Sequence, residues 1–141
     1  MLVVIAFSVR LVYLNQIQSI PTVPNPIMDE RYHVELAEKI NSEEGPDREP
    51  FFRAPLYQYF LAFIYDATGN SIYWSRFIQI VFGSLLPLLI LLLGRELFTG
   101  KVPYVAAWIA VFYPTFIYYD SSLLITSLMV LLTTLLAWRL Y

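Results

Sequence analysis

Four apolar runs divide the chain. The first covers residues 1–14, and the second covers residues 72–93, broken only by Arg76 and Gln79 near its start. The third and fourth form one stretch, residues 102–138, whose only charge is Asp120. A single helix over that stretch would be ~55 Å long, far more than a ~30 Å hydrocarbon core needs. The pattern therefore predicts a hairpin with Asp120, Ser121 and Ser122 at its bend. A carboxylate at mid-bilayer costs about 3 kcal/mol, which predicts Asp120 at a membrane surface. The first run would reach only ~21 Å as a helix and needs residues 15–20 to complete a crossing. The predicted fold class is an all-α, polytopic membrane protein. Its spans are 1–20, 72–94, 102–119 and 122–140, with an external loop at 21–71.

That loop carries two further helical patterns. Pro21, Pro24 and Pro26 favour extended chain. Tyr32, Leu36 and Ile40 then recur at four-residue spacing and predict a short amphipathic helix over residues 29–40. Gly, Pro and acidic residues make 41–50 a loop. Pro55 suits the first turn of a second helix over 55–67, closed by Gly69. Tyr57, Tyr59, Phe60, Phe63 and Tyr65 crowd this helix, which predicts that it lies along the headgroup layer. Pro87 and Pro114 are expected to kink the helices that contain them.

Composition sharpens the membrane reading. Hydrophobic residues make up 58% of the chain and charged residues 14%, well under the quarter that a soluble domain carries. No basic tract is present, which argues against a nucleic-acid partner. The absence of cysteine excludes disulfides, zinc–thiolate sites and a thiol nucleophile, and the lone His33 reads as a satisfied polar side chain. The apolar start lacks a basic lead and a small-residue cleavage site, so it reads as a membrane helix rather than a signal peptide. Its short reach and the abrupt end at Tyr141 lead us to expect the N-terminal, by itself inactive, part of a larger enzyme. Arg95, Lys101 and Arg139 face Glu96 alone on one side, whereas residues 29–53 hold eight acids against four bases. Basic short loops favour the cytoplasm, so the long loop is expected outside.

An even number of crossings gathers Asp29, Glu30, Arg53, Arg76 and Asp120, with Arg10 as a further candidate, on one side of the membrane. Arg suits phosphate through its planar fork of donors, and a carboxylate suits a hydroxyl proton or a divalent cation. An anionic head on an apolar tail fits such a rim. Each residue also has a structural reading. Asp29 suits a helix N-cap, Glu30 and Glu35 suit the first turn of a helix dipole, and Arg53 suits an interfacial anchor. Asp120 can simply make the turn. Arg76 lies inside an apolar run, where a charge has a partner or a task.

The order of these features resembles the N-terminal membrane module of GT-C glycosyltransferases. The features are Asp29-Glu30 at a helix start, Arg53-Ala54-Pro55-Leu56-Tyr57-Gln58-Tyr59, Arg76 with Gln79, and Tyr113-Pro114 ahead of Asp120. The nearest likeness is to the dolichyl-phosphate-mannose–protein mannosyltransferases and their bacterial relatives, including the lipid A aminoarabinose transferases. Ile125-Thr126-Ser127 departs from the glutamate that relatives often carry early in the fourth pass. The resemblance implies an inverting transfer of a sugar from a polyprenyl-phosphate donor to a hydroxyl of a protein or lipid acceptor, at the external face of a bacterial or archaeal plasma membrane. It implies Asp29 as the base, Glu30 as an orienting acid, Arg53 at the lipid phosphate, and Arg76 and Asp120 near the substrate. The sequence specifies no cofactor, and a divalent cation is compatible with the acids. The competing classes are a transporter or flippase of lipid-linked anions and a non-catalytic membrane subunit.

Overall fold

The computed structural model describes residues 1–42, 45 and 55–141. Among the described residues every regular element is an α-helix. The first, α1, spans Leu2–Ile17 and turns Ala6, Arg10 and Leu14 inward at four-residue spacing, one helical face. After a turn-rich stretch, α2 (Met28–Asn41) and α3 (Leu56–Thr68) pack on each other. Val34 and Ala37 of α2 meet Tyr57, Leu61, Ala62 and Tyr65 of α3 in a buried cluster that also takes in Leu123. Gly69 ends α3 in the left-handed conformation (φ 65°, ψ 45°) that a residue without Cβ adopts at least cost.

Ser71 caps the next helix by accepting from the Trp74 amide, as an N-cap hydroxyl does. The helix α4 (Ile72–Gly83) continues through residues 84–85 into α5 (Leu86–Leu97), and the two form one run of 26 residues. The irregularity falls where Pro87 offers no N–H to the carbonyl four residues earlier, that of Gly83. At ~39 Å this run is long enough to cross a bilayer, and it is apolar enough. The chain then turns back as α6 (Val102–Phe112), packed on α5, and bends by 53° at Tyr113 into α7 (Pro114–Asp120). Tyr113 is extended (ψ 114°), as the residue before a proline prefers. Finally α8 (Ile125–Leu140) lies against α5 and α4.

The all-helical expectation holds, and both loop helices fall within about a residue of their predicted ends. The span count is coarser than expected. One helix, Ile72–Leu97, passes as a membrane span, and α6 with α7 makes a second if the bent pair is one crossing. At 16 residues each, α1 and α8 reach only ~24 Å.

The structure adds packing detail to two of these segments. Asp120 is enclosed by protein: its carboxylate lies against Gly83 of α4, with the residue 3% exposed. The cost of burying that charge is offset by the partners described below. The aromatic helix α3 packs on α2 by one face. Tyr57 and Tyr65 are fully buried there, whereas Tyr59 and Phe63 face outward.

Candidate functional site

The site begins at the start of α2. Ile27 is extended (φ −125°, ψ 165°) and Met28, the first helical residue, has φ 53°. A left-handed conformation costs a residue with Cβ about 1–2 kcal/mol, so this junction is locally strained. Ile27 occupies the cap position and makes no side-chain cap bond, so Asp29 is not the N-cap but the second residue of the first turn. Its carboxylate is exposed, favoured there by the helix dipole.

Glu30 points the other way, into the bundle. Its carboxylate takes Arg76 Nη1 at 3.1 Å and Nη2 at 2.8 Å, one guanidinium nitrogen on each oxygen. Oε1 also accepts the Leu123 amide at 2.9 Å. Arg76, 2% exposed, further donates to the carbonyls of Ser121 and Val23, the latter at 3.1 Å. One arginine on α4 therefore ties together the 18–27 stretch, the head of α2 and the α7–α8 turn. A buried guanidinium needs this many acceptors, because a charge removed from water is tolerated only when paired and hydrogen-bonded. One turn along the same helix face, Gln79 donates to the carbonyls of Tyr119 (3.1 Å) and Ser122 and accepts from the Tyr57 hydroxyl at 2.8 Å. Burial pushes the Tyr57 phenol well above its ordinary range, and the Glu30 carboxylate adds to the shift.

A second charge pair lies deeper. Arg10 Nε meets Asp120 Oδ2 at 2.7 Å, with both side chains almost wholly enclosed. Arg10 also reaches the carbonyls of Ala6 and Val111, and Ser127 donates to the other Asp120 oxygen. A Cβ at Gly83 would overlap the Asp120 carboxyl, so a glycine is what lets the pair approach α4. Asp120 is thus a buried strut between α1, α7 and α8 rather than a group open to a ligand.

Asp29, Glu30 and Arg76 line a cavity of about 410 Å³. Ile17, Ile20, Val23 and Ile27 supply apolar wall, and Tyr13 and Tyr118 supply the aromatic part. Of the residues singled out from the sequence, the fold brings these three to one cavity and leaves Asp120 outside its lining; Arg53 lies outside the described residues. Sequence reading did not single out Gln79, Tyr57 or Ser127 as partners of these groups. The one available signal was the polar stripe Ser75, Arg76, Gln79 inside an apolar run. Among the described residues no group of three or more candidate metal ligands forms, and the Glu30 carboxylate is held by Arg76.

Fold and cavity together define an all-helical protein with at least one helix fit to span a membrane and an acid–guanidinium site beside it. No family model, curated protein or solved structure matches the chain.

Proposed function

We propose that this chain is the membrane module of a GT-C-type glycosyltransferase, which moves a sugar from a polyprenyl-phosphate donor to an acceptor hydroxyl by inverting displacement. In this reading α1, Ile72–Leu97, the α6–α7 pair and α8 each cross the bilayer, and residues 21–71 lie on the outer face. The observation that carries the proposal is Asp29: an exposed carboxylate on the wall of a largely apolar cavity that also holds Glu30 and Arg76. The motif order from Asp29 to Asp120 supports the same class.

The chemistry follows from the groups. Asp29 accepts the proton of the acceptor hydroxyl as that oxygen attacks the anomeric carbon. The bond from that carbon to the phosphate oxygen breaks, the configuration inverts, and polyprenyl phosphate leaves. Arg53 supplies guanidinium charge to the leaving phosphate, whose developing charge must be neutralised. The apolar wall accommodates the first units of the lipid. In the complete enzyme, Asp29→Asn lowers transfer of labelled sugar by about 10²–10⁴-fold, the usual contribution of a general base. Near-normal transfer by a correctly inserted variant removes Asp29 from this role.

Transport of a lipid-linked anion is the second reading, and the Arg76 guanidinium in the wall of a largely apolar cavity favours it, since a path for such an anion also needs a cation. Labelled donor that changes leaflet without losing its sugar would select it.

A further inference from the structure

The Glu30 carboxylate is held by three donors converging from two elements: both terminal nitrogens of Arg76 on α4 and the Leu123 amide in the α7–α8 turn. Two parallel guanidinium bonds and a backbone N–H around one small planar anion make a general anion site. Here the chain fills it with its own carboxylate. We propose that this site is a phosphate subsite for which Glu30 is the resident competitor: a phosphate monoester entering the cavity displaces the Glu30 carboxylate and takes Arg76 and the Leu123 N–H in its place. This deepens the glycosyltransferase reading and rests on it for the identity of the natural ligand, a lipid-linked phosphate.

Four observations support the exchange. Arg76 and Glu30 both line the cavity, so a ligand there meets the pair directly. The two partners are unequally enclosed: the Arg76 side chain is 2% exposed and that of Glu30 18%, so the donor is fixed and the occupant is the part able to leave. Arg76 stays anchored without Glu30 through the carbonyls of Val23 and Ser121, and its buried Nε has no hydrogen-bond partner among the described residues. Glu30 also sits two residues after Met28, whose left-handed φ of 53° places a strained joint at the head of α2 where the carboxylate would swing. On this account Glu30 contributes by releasing the subsite, and Arg76 reaches phosphate only in exchange for it.

The sign of one substitution decides the matter. The full chain in lipid nanodiscs is titrated with a short polyprenyl monophosphate, the matching prenol, and inorganic phosphate. A displaced competitor predicts that Glu30→Gln binds the prenyl phosphate on the order of 10-fold more tightly than the unaltered chain, since a hydrogen bond to a charged group is worth roughly one decade of affinity. Arg76→Gln abolishes the gain. Equal or weaker binding by Glu30→Gln overturns the proposal, as does prenol binding as tightly as its phosphate. Inorganic phosphate binding as tightly as the prenyl ester supports the subsite and makes free phosphate its occupant. If Glu30→Gln does not fold, the unaltered chain still answers: carbodiimide labelling of Glu30, mapped by peptide, rises on adding prenyl phosphate, and unchanged labelling overturns the exchange. Failure of sugar transfer leaves the titration result standing, and failure of the titration leaves transfer standing, so the two readings fall separately.

Discussion

Arg10 and Asp120 form a buried charge pair on which the fold depends. They are 110 positions apart, share one enclosed ion pair, and each is hydrogen-bonded again by its surroundings. Breaking such a pair by removing one partner costs about 3–5 kcal/mol, because the other is left as an uncompensated buried charge. Arg10→Leu and Asp120→Leu are each expected to lose that much in denaturant unfolding followed by helical circular dichroism. The double variant is expected to recover much of the loss, since an apolar pair leaves no orphan charge. Equal losses for single and double variants would show that packing rather than charge matters there. The exposed Arg31–Glu35 pair, four residues apart on α2, is the opposite case and contributes little.

At the scale of elements, the α2–α3 unit is the support for the cavity. Tyr57 and Tyr65 both sit in its core, with different polar fates. The Tyr57 hydroxyl donates to Gln79, whereas the buried Tyr65 hydroxyl has no hydrogen-bond partner among the described residues. Tyr57→Phe should therefore cost about 1–3 kcal/mol by leaving the Gln79 oxygen unsatisfied, and Tyr65→Phe should be neutral or stabilising. Both phenols are raised above the ordinary 10.0, chiefly by burial. The folded state therefore keeps protons that the unfolded state gives up near pH 10. Their contribution is complete below that pH and is lost as pH rises beyond it. A stability–pH profile should fall above about pH 10, less steeply in Tyr65→Phe, and an identical slope in that variant would contradict the assignment.

For the whole molecule the central issue is which segments face which side of a bilayer. Ile72–Leu97 is the element fit to cross it alone, so its two ends should be on opposite faces. The chain has no cysteine, which makes single-cysteine labelling direct. Ser71→Cys and Lys101→Cys should react with impermeant reagent from opposite sides of intact vesicles, and Asp29→Cys from the side of Ser71. Labelling of 71 and 101 from the same side would remove the span, and with it the proposed external site.

Much of the helical layout was legible in one dimension. Apolar runs, proline and glycine positions and four-residue spacings depend on neighbours in sequence, so they gave the helices of the loop and the apolar character of Ile72–Leu97. The sequence also placed the acids at the head of α2 and required a partner for Arg76. It could not say which partner, because Glu30 and Arg76 are 46 positions apart and meet only when the α2–α3 unit packs on α4 through α3. The enclosure of Asp120 was likewise a tertiary decision. The sequence shows a lone charge in an apolar run, and Arg10 on α1, Ser127 on α8 and the missing side chain at Gly83 together make an enclosed place for it. Local pattern determined what each segment is; the meeting of helix faces decided which buried charges neutralise one another and brought Asp29, Glu30 and Arg76 to one cavity.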